Sequence, residues 1–131
     1  MKKMETWEKC AGSQLDIKQT YKVAFEEGGC SLMVTTQQRR LEKIEFPYVY
    51  DFRYTLREVL VSRMANFTQD GGTGIYLVKE SSYLRYFEQQ VSGTISLSDV
   101  KHYVILSASG YCAELLSPDE PIVSERLAFH T

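Results

Sequence analysis

An alternation of large apolar and mostly polar side chains between residues 44 and 54 constrains this fold more than any other feature. Every second residue there is aliphatic or aromatic: Ile44, Phe46, Tyr48, Tyr50, Phe52 and Tyr54. Because successive side chains of a strand point to opposite faces, this pattern lines one side of a sheet with large groups. Pro47 interrupts the pattern, and proline cannot donate to a strand ladder. We therefore predict a break near Pro47 and a regular strand mainly over 48–54.

Two helices are predicted in the middle of the chain. The first would cover about 56–67, because Thr55 and Glu58 have the spacing of a capping box. Apolar residues then recur at helical intervals: Leu56, Val59, Leu60, Met64 and Phe67. The second helix would begin after Ser81 or Ser82, since serine caps helices well. Its apolar stripe consists of Tyr83, Leu84, Phe87 and Val91.

Five further strands complete the predicted fold. They cover 17–26, 30–36, 75–78, 101–107 and 111–116. The first two would form a hairpin, with Gly28 and Gly29 supplying the positive-φ turn positions. The order β-β-β-α-β-α-β-β has hairpins at both ends, which predicts an α+β fold with a mostly antiparallel sheet and both helices on one face. The 131 residues fit one domain, 1–131, with 1–15 as an arm and 122–131 as a tail.

Composition and charge argue against several classes of protein. Fifteen Lys and Arg against seventeen Asp and Glu give a net charge of −2, whereas nucleic-acid binding draws on a concentrated basic surface. No stretch approaches the roughly 20 apolar residues of a membrane helix. Three widely spaced cysteines suit neither a disulfide framework nor a zinc site. We therefore expect a cytoplasmic protein with reduced thiols, and neither metal, cofactor, nucleic acid nor membrane as a partner.

The glycine-rich segment 71–74 resembles a phosphate-binding loop only in composition. Phosphate loops follow a strand and open a helix, so that helix N–H groups point at the phosphate. Here the predicted helix precedes the glycines and a strand follows them. The segment is therefore predicted to be a flexible turn.

Two nucleophile–histidine pairs involve His102. If residues 109 and 110 form the hairpin turn, Cys112 lies about 17 Å from His102 along the strand, too far to share a proton. The same register places Ser117 opposite His102. Neither an oxyanion loop nor an orienting acid accompanies that pair, so we predict no catalytic residue.

Tyrosine and arginine side chains indicate a binding surface, because both are enriched at interface hot spots. The candidate partner-binding residues are Tyr48, Tyr50, Arg53, Tyr54 and His102. The tyrosines also have a structural interpretation, with rings facing the core and hydroxyls at the sheet rim. Arg53 has the opposite parity and would point away from them, toward a partner or a neighbouring acid.

These observations favour a non-enzymatic module that binds another protein. Small immunity proteins that neutralise toxins have this general profile, but only by analogy, because a fold class does not specify a function. The alternative is an enzyme or small-molecule-binding protein with a pocket between sheet and helices, near His102 and Tyr50. A third alternative is a homodimer formed through an unpaired sheet edge.

Overall fold

The computed structural model describes residues 5–10, 15–63 and 72–125, which form nine strands and two helices. The strands are β1 (Thr6–Lys9), β2 (Ile17–Glu26), β3 (Gly29–Thr36), β4 (Leu41–Phe46), β5 (Asp51–Leu56), β6 (Gly74–Lys79), β7 (Lys101–Leu106), β8 (Tyr111–Ser117) and β9 (Ile122–Glu125), and the helices are α1 (Arg57–Ser62) and α2 (Ser82–Val91). One sheet has the order β1-β6-β7-β8-β5 and the other has the order β2-β3-β4-β9, with antiparallel pairing throughout. The α+β class and the antiparallel pairing are as predicted, but the strands divide between two sheets where we predicted one.

The main core lies between the two sheets. Its buried members come from both inner faces: Ile17, Cys30, Leu32, Val34, Ile44, Phe46, Ile75, Tyr103, Ile105, Ala113 and Leu115. In β3 and β4 every second side chain is buried, as the period of a strand requires. Burying one large aliphatic side chain contributes about 1.5–3 kcal/mol, so this interface holds the sheets together.

Both helices cover the outer face of the five-stranded sheet, as predicted. α1 buries Leu60 in a cluster with Trp7, Tyr76 and Val104, among others. α2 buries Tyr83 against Leu116. Neither of these helices, with six and ten residues, is long and apolar enough to cross a membrane.

The predicted break at Pro47 is confirmed, and it is the point where the chain leaves one sheet for the other. β4 ends at Phe46 and β5 begins at Asp51. The regular strand therefore begins later than the predicted 48, and Tyr48 and Tyr50 lie in the connecting segment. This segment is held by main-chain hydrogen bonds, including one of 2.8 Å from Val49 N to the carbonyl of Gly28.

The β2–β3 turn lies one residue earlier than predicted. Its central residues are Glu27 and Gly28, with φ of 50° and 85°, and Glu26 pairs with Gly29. Two positive φ angles are typical of the tight turns that match strand twist. Gly29 begins β3, where a Cβ atom would lie only 2.6 Å from the carbonyl oxygen of Pro47. Gly29 is therefore required by close packing against the segment after β4.

The predicted capping box of the first helix is wrong. Thr55 belongs to β5, whose pairing continues to Leu56 opposite Tyr111. The N-cap of α1 is Leu56, without a side-chain hydrogen bond. The rest of that predicted helix, 64–67, lies outside the described residues. Of the predicted glycine turn 71–74, only residue 71 lies outside them; residues 72 and 73 precede β6, which begins at Gly74.

The arm and tail contribute strands that their sequences did not reveal. β1 pairs with β6, and Trp7 packs with its ring centroid 5.9 Å from that of Tyr76. β9 pairs with β4. Four-residue strands are too short to display a clear alternation. The remainder of the arm and tail, 1–4, 11–14 and 126–131, lies outside the described residues.

Candidate functional site

A chain of polar side chains joins both helices to the five-stranded sheet. His102 Nδ1 lies 2.8 Å from Ser81 Oγ, and His102 Nε2 lies 3.0 Å from Glu114 Oε1. A guanidinium nitrogen of Arg63 lies 2.7 Å from the same Glu114 oxygen. Ser81 precedes α2 and Arg63 follows α1. We call Ser81, His102, Glu114 and Arg63 the buried network, because its first three members are at most 5% exposed.

The charges of the buried network compensate one another. Burial by itself raises the pKa of Glu114, but hydrogen bonds from His102 and Arg63 outweigh it, so the pKa lies below its usual value. The carboxylate is therefore ionised at neutral pH. When the imidazole proton is on Nε2, His102 donates to Glu114 and accepts from the Ser81 hydroxyl, and each member has a partner.

The order Ser81–His102–Glu114 is that of a hydrolytic triad, but its geometry does not suit catalysis. Ser81 Oγ accepts a 2.9 Å hydrogen bond from Leu84 N, so it caps α2. The hydroxyl is also buried, whereas a nucleophile must reach a substrate. We interpret the buried network as a structural link that holds both helices against the five-stranded sheet. The sequence predicted either Ser81 or Ser82 as the cap of this helix, and the cap is Ser81.

The predicted opposition of Ser117 and His102 is wrong. His102 pairs with Leu116, and Ser117 pairs with Lys101. Ser117 Oγ instead donates to the carbonyl of Tyr48 at 2.6 Å. Cys112 lies away from His102, as predicted, with its Sγ 3.3 Å from Ser107 Oγ just beyond the other end of β7.

A second polar group lies beside the buried network. The Tyr83 hydroxyl donates to Asp51 Oδ2 at 2.6 Å, and its ring lies edge-on to His102 with centroids 5.0 Å apart. Arg53 places Cζ 3.7 Å from the centroid of the Tyr83 ring, a cation–π contact. Burial, reinforced by the bond to Asp51, raises the pKa of Tyr83 far above its usual value. Arg53 and His102 therefore both lie on the helix-covered side of the sheet.

The most distinctive surface is a line of rings carried by the edge strands β2 and β5 and by β8, which pairs with β5. The ring of Phe25 meets that of Phe52 edge-on, with centroids 5.1 Å apart. Phe52 stacks on Tyr54 with a centroid distance of 6.2 Å, and Tyr54 stacks on Tyr111 with a centroid distance of 5.2 Å. Phe25 is 60% exposed, Tyr54 43% and Tyr111 49%. We call Phe25, Phe52, Tyr54 and Tyr111 the aromatic row. Single exposed aromatics are common, whereas a contiguous exposed group of them is typical of an interaction surface.

The predicted partner-binding residues lie in three different places. Tyr54 belongs to the aromatic row. Tyr48 is exposed, and its ring centroid lies 5.1 Å from that of Tyr50, which is half-buried against the cluster that contains Tyr83 and Leu116. Arg53 points to the other face of β5, and His102 is buried and not presented to a partner.

The other members of the row, Phe25, Phe52 and Tyr111, were not predicted as partner-binding residues. Alternation indicated the side of the strand on which Phe25 and Phe52 lie. It did not indicate that β2 and β5 are edge strands, where rings on the inner side reach solvent.

A separate cleft of about 350 Å³ lies between β1, β7 and the segment before β9. Its lining includes Cys10, Tyr103, Lys9, Lys101 and Glu120. Burial, followed by the nearby Glu120, raises the pKa of the Cys10 thiol, although Lys101 opposes this shift. A thiol with a raised pKa is a poor nucleophile, so we interpret Cys10 as an inert thiol.

The reactivity of Cys10 tests that conclusion. We expect Cys10 to react with a chromogenic disulfide several-fold more slowly than free cysteine at pH 8, because less of it is thiolate. The rate for Cys10 is isolated by comparing the wild-type chain with Cys10→Ser. A reaction faster than that of free cysteine would contradict the assignment of an inert thiol.

The described residues contain no group of three or more His, Cys, Asp or Glu side chains placed to share a metal ion. Comparison with protein-family models, curated proteins and solved structures finds no match to this chain. The candidate site is therefore argued from its own geometry, and it is the aromatic row.

Proposed function

We propose that this chain is a non-enzymatic module that binds another protein through the aromatic row. The supporting observation is the line of rings on β2, β5 and β8, three of whose four members are more than 40% exposed. Tyrosine and phenylalanine combine a large apolar area with few rotatable bonds, so ordering them on binding costs little entropy. Burying such rings against a partner would remove apolar surface that now faces water.

Other features agree with this proposal. The net charge of −2 favours a protein partner over nucleic acid. Cys10, Cys30 and Cys112 are free thiols, as is usual in a reducing compartment, which supports our proposal of a cytoplasmic location. A small-molecule pocket between sheet and helices has less support, because the buried network and Tyr83 occupy the region around His102.

Site-specific cross-linking tests the proposal. Tyr111 is replaced by the photoreactive residue p-benzoylphenylalanine and irradiated in lysate of the source cells. The matched control carries the same residue at Tyr86, which is 55% exposed on α2, outside the aromatic row. We expect one cross-linked protein at Tyr111 and none at Tyr86. Adding Tyr54→Ala should weaken its capture about thirtyfold, since truncating a hot-spot aromatic costs about 2 kcal/mol.

Two outcomes would contradict the proposal. Equal cross-linking at Tyr111 and Tyr86, or none at either, would leave the aromatic row without a binding role. A cross-link between two copies of this chain would instead identify a homodimer through the β2–β5 edge.

A further inference from the structure

A cleft of about 330 Å³ opens at one end of the aromatic row, between the β2–β3 turn and the start of β5. Its apolar wall includes Phe25 and Phe52, whose rings meet edge-on. Its other wall is the turn that carries Glu26 and Glu27. The hydrogen bond from Val49 N to the Gly28 carbonyl joins the turn to the segment before β5, which fixes the shape of the cleft.

The charged residues that line this cleft in the described part of the chain are all acidic. Among the described residues, its lining includes Glu26, Glu27 and Asp51 and no basic residue, and of these three acids Asp51 has its carboxylate bonded to Tyr83 on the other face of β5. Glu26 and Glu27 are exposed, and within the described part of the chain neither takes part in a side-chain hydrogen bond or ion pair. An adjoining cleft shares both glutamates, and the base there, Lys43, already pairs with Glu45 at 3.3 Å. The two glutamate carboxylates are therefore available to a cation from outside.

We propose that this cleft receives an arginine side chain of the protein partner. The inference rests on the proposed function and names the chemistry of one contact within it. A guanidinium group stacks on aromatic faces and at the same time donates to carboxylates. Phe25 and Phe52 offer the rings and Glu26 and Glu27 the acceptors, so the cleft complements arginine in both shape and charge.

The intramolecular contact of Arg53 shows that an aromatic ring of this chain can hold a guanidinium. On the other face of β5, Arg53 places Cζ 3.7 Å from the Tyr83 ring centroid, whereas the carboxylate of Asp51 accepts from the Tyr83 hydroxyl. An aromatic ring thus already holds one arginine next to this cleft. Because Arg53 is directed to that face, it does not neutralise Glu26 and Glu27.

The test uses a blocked tripeptide, acetyl-Gly-Arg-Gly-amide, and its citrulline counterpart, which has nearly the same shape without the charge. Binding is followed by ¹H–¹⁵N NMR titration of the whole chain. We expect saturable shifts confined to residues 25–29 and 49–52 with the arginine peptide, at least about threefold weaker binding of the citrulline peptide, and weakening by added salt.

Matched variants identify the groups responsible. Glu26→Gln/Glu27→Gln should weaken binding of the arginine peptide at least about twofold, because the variant removes both carboxylates that would pair with the guanidinium group. Phe25→Leu should weaken it while keeping the site apolar, because leucine lacks the aromatic face. Glu58→Gln/Glu88→Gln removes the same charge from exposed positions on α1 and α2 and should leave binding unchanged.

Several results would overturn the inference: no saturable shift, equal binding of the two peptides, or equal effects of the two double variants. Failure of the arginine contact can be distinguished from failure of the proposed function. If the protein cross-linked at Tyr111 is captured equally well by Glu26→Gln/Glu27→Gln, the binding module stands and the arginine contact falls. If the peptide binds but Tyr111 cross-links nothing, the cleft binds a guanidinium group without the proposed interface.

Discussion

Replacing Glu114 with alanine is expected to lower the free energy of unfolding by about 3 kcal/mol, the low end of the range for breaking a buried ion pair. The substitution removes the oxygen that lies 3.0 Å from His102 Nε2 and 2.7 Å from Arg63. His102 is buried, so water does not replace the lost acceptor without a rearrangement. The side chain of Arg63 is 37% exposed, so water partly replaces its lost partner. This keeps the expected loss in the free energy of unfolding at the low end of that range.

Urea denaturation of Glu114→Ala measures this loss, with Glu88→Ala as the control. Glu88 is an exposed acid on α2, and its substitution should change the free energy of unfolding by less than about 0.5 kcal/mol. If the two variants were equally stable, the buried network would not fasten the helices to the sheet, and our structural interpretation of Ser81 and His102 would fail.

The same site predicts a pH dependence. Because the folded state lowers the pKa of Glu114, the unfolded state binds more protons in the acid range, and stability rises with pH there. The contribution of Glu114 to the free energy of unfolding is fully present above its pKa in the unfolded state, about 4.3. It is lost as the pH falls through the lower pKa that Glu114 has in the folded state. The stability difference between wild type and Glu114→Gln should therefore shrink from pH 6 to pH 3. A difference that stays constant would contradict the lowered pKa.

Local patterns in the sequence predicted most of the elements but not their arrangement. Alternation identified the long strands, and the missing N–H of Pro47 identified the break. Neither gives strand order, because a period of two assigns side chains to faces without saying which strands are neighbours. The division into two sheets, which makes β2 and β5 edges and exposes Phe25 and Tyr54, was therefore outside the reach of pattern reasoning.

The candidate site was also predicted only in part, because local patterns do not indicate which strands and helices are neighbours. Tyr54 and Tyr48 were selected because tyrosine suits interfaces, and both are exposed. His102 was predicted to bind a partner, but it is buried, and its contact with Ser81 joins residues 21 positions apart and depends on where α2 docks. A one-residue difference in the β7–β8 register was enough to place Leu116, instead of Ser117, opposite His102.

Replacing Gly29 with alanine is expected to destabilise the protein by about 2 kcal/mol, within the range for overpacking a tight site. The new Cβ would lie 2.6 Å from the Pro47 carbonyl oxygen and 2.8 Å from that of Phe46. Both are main-chain atoms, so no side-chain rotation relieves the contact. The strain would fall on the segment that carries the chain from the four-stranded sheet to β5. Urea denaturation measures the loss.

Gly93→Ala is the matched control, because it separates crowding from backbone conformation. Gly93 has a φ of +81° and nothing within 4 Å of an added Cβ, so only the left-handed backbone opposes alanine there, at about 1 kcal/mol. Gly29→Ala should be the more destabilising of the two. If Gly29→Ala is not the more destabilising, the segment 47–50 shifts at little energetic cost to accommodate the new Cβ. The cleft between the β2–β3 turn and β5 then lacks the fixed shape that the arginine contact requires.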